Sequence, residues 1–318
     1  MSDLTNRWAS LAEEASARAQ NLSEWFNPGL EDIPVQTLKD RYCDEQSRFV
    51  EVDGLNVHYQ DLGPADSDKA PLLLIHGLMS SLHCWEGWVP HLSADRRVVA
   101  LDVPPFAITG PYPKGRLDET TYMALLLEFA DKVGLESFIP VGNSLGGFLA
   151  WRLAVEVPDR VQAVGLLDPA GGTAKMPLAI QAFKVPLVGQ AYQSLTPKAA
   201  ILAAQLSMFG DPKRIDVSAL DRIHDLIMRE GTRTAVQDNL RLLESPDPSM
   251  LSAIECPVFL QWGEDVSLLT MRENMIGFTS RVRDLRVRTY PGVGHMPMEE
   301  IPAQSLSDFD WFLHNLGI

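Results

Sequence analysis

A serine can act as a nucleophile when the backbone holds its hydroxyl clear of the chain, and Gly142-Asn143-Ser144-Leu145-Gly146 is a G-x-S-x-G run of that kind. It follows the apolar run 138–141 and opens 145–156, which carries helical periodicity, so it sits in a strand–turn–helix setting. The small residues have a physical reason: the nucleophile occupies a strained conformation, and the helix must pass close to the strand. Gly147 extends that small surface. An ordinary glycine-rich turn is the plainer alternative.

Such a serine needs a base. Of seven histidines, His295 lies in Gly292-Val293-Gly294-His295-Met296-Pro297, a glycine-flanked loop after the last expected strand and before the closing helix. A loop at a strand's end can deliver an imidazole to the carboxyl edge of a sheet. His58, His83, His91, His224 and His314 have no comparable setting and are expected at the surface or in packing. His76-Gly77-Leu78 ends the third expected strand; the amides of Leu78 and Leu145 would hold a developing oxyanion. His76 itself reads as a structural hydrogen-bonding residue.

The elements that must position these groups alternate. Residues 49–52 and 57–62 read as a hairpin turning at Asp53-Gly54. The runs 71–76, 98–102, 138–142, 161–167, 258–262 and 285–290 read as further strands, with helices at 117–133, 145–156 and 303–315. That rhythm implies a mostly parallel sheet with helices on both faces. Residues 171–250 break it with helical stretches such as 197–208 and 219–229, which would form a lid over the site. The boundaries expected are an N-terminal helical extension at 1–46, a core at 47–170 and 251–318, and the lid at 171–250. In the extension, Leu4, Trp8, Leu11, Ala15, Leu22, Trp25 and Phe26 recur at helical spacing. That amphipathic helix packs on the main domain or, on a second reading, makes weak contact with a lipid interface.

Composition narrows the function classes. With 42 acidic against 27 basic residues, the formal net charge is −15, which disfavours nucleic acid and anionic membrane as partners. No stretch is apolar and long enough to span a bilayer, and no signal peptide is visible, so a cytoplasmic protein is expected. Cys43, Cys84 and Cys256 form neither a metal motif nor a disulfide framework and read as buried thiols.

With the Ser144 elbow, the early His76-Gly77 and the late Gly294-His295 in order, residues 47–318 resemble the α/β-hydrolase family. Leu167-Asp168-Pro169-Ala170-Gly171 ahead of a helical lid is similar to its monomeric bacterial esterases and lipases. The resemblance implies an eight-stranded, mostly parallel α/β-hydrolase sheet with a helical lid inserted after the sixth strand. It also implies ester hydrolysis with no cofactor and no metal. Serine at the elbow, where halide- and epoxide-processing members carry a carboxylate, argues against those two reactions.

Two departures from the family pattern stand out. The glycine-rich turn after the fourth strand reads Asp102-Val103-Pro104-Pro105-Phe106-Ala107, with Pro105 and Ala107 at glycine positions. The triad acid is also displaced. The ungapped register in Trp262-Gly263-Glu264-Asp265-Val266-Ser267-Leu268 places Val266 at the acid position, and a one-residue deletion would restore Asp265. Some members take the acid from the end of the sixth strand, where Asp168 stands. Asp168 is therefore the first choice and Asp265 the second, with a turn-capping role the alternative for Asp168, and an absent acid with low activity the third possibility.

The leading expectation is a serine hydrolase that cleaves carboxylic esters, lipophilic small molecules in particular, through an acyl-enzyme on Ser144. Carbon–carbon bond hydrolysis or acyl transfer on the same triad is the first alternative. A ligand-sensing, hydrolase-like protein with little turnover is the second.

Overall fold

The computed structural model describes residues 28–173, 181, 185–239, 247–265 and 271–318. The amphipathic pattern at 4–26, the acid register at Val266 and parts of the lid lie outside these residues.

Eight strands form one sheet: β1 (Ser47–Val52), β2 (Leu55–Leu62), β3 (Leu72–Ile75), β4 (Val98–Leu101), β5 (Ile139–Asn143), β6 (Val164–Leu167), β7 (Val258–Gly263) and β8 (Leu285–Tyr290). Their spatial order is β1-β2-β4-β3-β5-β6-β7-β8. The β1–β2 hairpin turns at Asp53-Gly54, and β2 runs antiparallel to β4. From β4 to β8 every pairing is parallel. The expected mostly parallel sheet is present, and its elbow strand β5 lies at its centre.

Helices cover both faces. Alternate residues of the central strands point to opposite sides, as a pleated strand requires. Leu73, Ile75, Val99 and Leu101 pack with Leu125 and Phe129 of α2 (Glu119–Lys132) and Leu149 and Leu153 of α3 (Leu145–Glu156). Leu72, Leu74, Val98, Ala100 and Phe259 pack on the other side with Trp85, Trp88, Phe309 and Phe312. Phe309 and Phe312 belong to the C-terminal helix Pro302–Leu316. There Phe259 stacks on Phe312 at 5.1 Å, and Trp88 stacks on Phe309 at 5.3 Å. Because both faces are covered, the strands read as continuous apolar runs rather than as alternation.

Between β6 and β7 the described chain contains no strand. It forms α4 (Pro186–Ser194), α5 (Lys198–Met208), α6 (Leu220–Ile227) and α7 (Thr232–Asn239), the helical insertion expected after the sixth strand. The described part of the N-terminal extension contains α1 (Val35–Tyr42), preceded by a segment docked on this lid. Arg233 donates to Asp32 and to the carbonyls of Gly29 and Leu30, and Ile33 forms a parallel bridge with Arg229. Cys84 is buried as expected, whereas Cys43 and Cys256 are only half-buried. No helix among the described residues is long and apolar enough to cross a membrane.

The aromatic layer under the closing helix is a large share of the second core face. Phe309→Ala should cost about 3–5 kcal/mol, read as a lowered urea midpoint with an unchanged slope.

Candidate active site

The elbow shows why its residues are small. Ser144 sits at φ 54° between β5 and the first residue of α3, in the left-handed region that side-chain-bearing residues rarely occupy. A Cβ on Gly142 would lie 2.1 Å from the backbone of Gly146, and one on Gly146 would lie 2.0 Å from the carbonyl of Ile75. Helix α3 can therefore touch the sheet only through glycine. The Ser144 N–H donates to the Leu167 carbonyl at 3.0 Å, and the Ser144 carbonyl accepts from Ala170 N–H at 3.0 Å, locking the turn to the end of β6.

Ser144 and His295 line one cavity of ≈ 420 Å³. The core contributes Gly77, Leu78, Met79, Phe106 and Met296, and the lid contributes Ile201, Met208, Phe209, Ile223 and Leu226. Leu78 borders the cavity, and Leu145 opens α3, where first-turn N–H groups have no partner within the helix. His76 fixes the Leu78 loop. Its Nε2 accepts from Val103 N–H at 2.8 Å, which leaves the Nδ1 proton for the Gly77 carbonyl at 2.7 Å. Its role is thus hydrogen bonding. In the departing Pro105 loop, Ala107 takes φ 50° at a glycine position, and the Pro105 carbonyl accepts from Thr232 of the lid at 3.1 Å.

The His295 ring is buried, and among the described residues neither nitrogen has a hydrogen-bond partner. Burial pulls its pKa down to about 4, so the imidazole is neutral at physiological pH and free to accept a proton. Its backbone is tightly held: the N–H donates to the Met208 carbonyl at 2.6 Å, and the carbonyl accepts from Asn143 Nδ2 at 2.9 Å. Asn143 also donates to the Leu167 carbonyl. Neither this residue nor Glu300, whose carboxylate binds the N–H of Gly294, stood out in the sequence. Asn143 lay in a variable position of the motif, and nothing local marks Glu300.

Asp168 ends β6 fully buried at φ 43°, and both carboxylate oxygens lie 3.3 Å from the N–H of Gly263. Burial raises its pKa well above the usual carboxylate range; the Gly263 hydrogen bond opposes that shift and the Glu300 charge adds to it. Asp265 is exposed, and its N–H donates to the Val293 carbonyl. The structure brings Ser144 and His295 to one cavity but joins His295 to neither acid by a hydrogen bond. Among the described residues no group of three or more His, Cys, Asp or Glu side chains could hold a metal ion.

One histidine expected at the surface or in packing proves to be part of a buried network. His58 is buried; its Nδ1 donates to Asp102 Oδ2 at 2.7 Å, and its Nε2 lies 3.1 Å from Ser47 Oγ. Ser47, His58 and Asp102 thus form a triad-like arrangement consistent with a serine-based ester hydrolase mechanism. Burial would lower the His58 pKa, but the charge and hydrogen bond of Asp102 outweigh it and leave it at about 9. At neutral pH the ring is a cation that donates to Ser47. Asp102 is held below the carboxylate norm by the same pairing, against its burial, and also accepts from the N–H groups of Leu82 and Ile108. His83 lines the cavity rather than only packing.

A family model described as the alpha/beta hydrolase fold matches residues 70–302. The chain belongs to the α/β-hydrolase fold family. An uncharacterized hydrolase, YugF, of Bacillus subtilis is 26% identical over 228 residues, 69% of this chain and 81% of that protein. The human (lyso)-N-acylphosphatidylethanolamine lipase is 29% identical over 143 residues, 43% of this chain and 40% of the lipase. Apart from YugF, the chain spans less than half the length of these curated relatives, which include the acetyltransferase component of an acetoin cleaving system. A crystal structure of a membrane phospholipase A superposes with a TM-score of 0.75 at 21% identity, covering 99% of both chains. This α/β-hydrolase fold and the triad-like geometry together support esterase or lipase chemistry.

The two histidines shift stability in opposite directions. The stability contributed by His58 is complete below about pH 6.5 and is lost as pH rises through about 9. Burying His295 neutral costs stability as pH falls from about 6.5 towards 4. Urea unfolding at pH 6.5 and 9 should therefore show a loss in the wild type that His58→Gln largely abolishes.

Proposed function

We propose that this α/β hydrolase cleaves carboxylic esters through an acyl-enzyme on Ser144, with His295 as general base and the Leu78 and Leu145 amides as oxyanion donors. The observation that carries this reading is a left-handed elbow serine sharing a mainly apolar, lidded cavity with a neutral histidine. Ser144 attacks the carbonyl carbon while His295 accepts the hydroxyl proton. The same proton then goes to the leaving alcohol, and water, deprotonated by His295, releases the acid. Catalytic hydrogen bonds commonly tighten only once substrate is bound, so an unpartnered ring in the free protein fits this role.

Asp168 remains the first candidate to hold His295, and Asp265 the second. Gly263, which Asp168 binds, has no room for a side chain because a Cβ there would lie 1.9 Å from the Gly294 carbonyl. Asp168 therefore stands one backbone layer from the histidine loop. The apolar lining supports lipophilic esters, in keeping with the lipase named among the relatives. We assign residues 1–46 to the extension, 47–170 with 251–318 to the core, and 171–250 to the lid.

A cytoplasmic location with weak contact at a lipid interface through the N-terminal extension completes the reading. Leu30 and Leu195 are exposed where Gly29 and Thr196 join the extension to the lid, giving that region an apolar surface. Sedimentation with neutral phosphatidylcholine vesicles should carry down part of the full chain and none of a chain lacking residues 1–26; equal sedimentation of both would remove the extension from the reading.

The Ser47–His58–Asp102 connectivity supports a second reading in which Ser47 is the nucleophile, with activity only where His58 gives up its proton, near pH 9 and above. Hydrolysis of p-nitrophenyl esters from acetyl to palmitoyl separates the two. Ser144→Ala should lower kcat on the order of 10³-fold or more, and Ser47→Ala should keep most of the activity; the reverse pattern would move the chemistry to Ser47. With His295 the base, kcat/KM should hold from neutral pH down to about 5 and fall through about 4. A kcat profile with its midpoint near 6.5 would show that a carboxylate engages the ring once substrate is bound.

A further inference from the structure

Glu300 lies five residues beyond His295, at the end of the one-turn helix Pro297–Glu300, and its side chain is 0% exposed. Oε2 accepts from Gly294 N–H at 2.7 Å and from Gly210 N–H at 3.0 Å. Oε1 accepts from Asp211 N–H at 2.9 Å and from Arg214 Nη1 at 3.1 Å. One buried carboxylate thus gathers four donors from two segments far apart in sequence: the histidine loop and the chain that leaves lid helix α5.

The two segments touch through their backbones. His295 N–H donates to the Met208 carbonyl at 2.6 Å, and a Cβ on Gly294 would lie 2.1 Å from that carbonyl. A Cβ on Gly210 would lie 2.8 Å from the Gly292 carbonyl, which also accepts from Arg214 at 3.3 Å. Among the described residues neither ring nitrogen of His295 has a partner, and these backbone anchors hold the loop that carries the imidazole.

We propose that Glu300 is a positioning residue: by binding the N–H groups of Gly294, Gly210 and Asp211 it stitches the lid to the histidine loop and sets His295 against Ser144. This rests on Ser144 and His295 being the reacting pair. An isosteric amide tests it sharply, because Glu300→Gln must turn an NH2 group towards peptide N–H or guanidinium donors on one side or the other, losing acceptors without losing volume. Glu300→Asp keeps the charge but is one methylene too short to span all four donors.

The experiment titrates the reactive serine with a fluorophosphonate, maps the labelled residue, and measures kcat, KM and the thermal midpoint for each variant. Turnover is expressed per labelled serine, so unfolded protein does not count. In Glu300→Gln kcat should fall about tenfold or more with KM within about twofold, and Glu300→Asp should recover part of the loss. A lower thermal midpoint with kcat per labelled serine unchanged would make Glu300 a stabilising residue only and overturn the proposal. Should Glu300→Gln fail to fold, Glu300→Asp carries the test: a fall in kcat per labelled serine with KM within about twofold supports the stitch, and an unchanged kcat overturns it. Labelling at Ser47, or none at Ser144, would instead remove the Ser144 reading on which the proposal rests.

Discussion

The contact between helix α3 and the sheet governs the placement of Ser144, the proposed nucleophile. Gly146 lies against the Ile75 carbonyl and Gly142 against Gly146, both closer than any Cβ would permit. A side chain at either position would lever the helix away, carrying the Leu145 N–H with it and opening the turn on which Ser144 stands. The left-handed conformation of Ser144 costs on the order of 1–3 kcal/mol. The hydrogen bonds that tie its N–H and carbonyl to Leu167 and Ala170 offset that strain and turn β6 into a brace for the elbow.

Around this brace, buried polar groups rather than apolar packing shape the loops at the carboxyl edge of the sheet. Asp102 binds His58 and the N–H groups of Leu82 and Ile108, so a single carboxylate joins the hairpin, the segment after Leu78 and the loop after β4. Glu300 does the same for the histidine loop and the lid. A carboxylate without donors would be far too costly to bury; once surrounded by peptide N–H groups it becomes a rigid joint between irregular segments. The contrast between His58 and His295 follows from the same physics. Both are buried, yet the adjacent Asp102 charge and hydrogen bond hold one as a cation, while burial leaves the other neutral.

Much of this was legible in the amino-acid order. Continuous apolar runs announced strands covered on both faces, and Asp53-Gly54 announced the hairpin. The spacing of glycines around Ser144 implied a backbone contact that the structure contains. His295 was singled out by its loop. These readings succeed because they depend on local requirements: a strand's periodicity, a turn's φ and the absence of a Cβ can each be judged within a dozen residues.

The sequence by itself determined the sheet, the elbow and the candidate pair, since each follows from short-range pattern. Tertiary structure alone decided what His58 and Glu300 do. His58 looked like a packing residue until β2 was laid against β4 and met Asp102, 44 residues away. Glu300 carried no mark until the lid's return, 89 and 90 residues earlier in the chain, came to rest against the histidine loop. A hydrogen bond in the interior depends on which donors the fold delivers within about 3 Å, and that is a property of the packed chain rather than of any stretch of it.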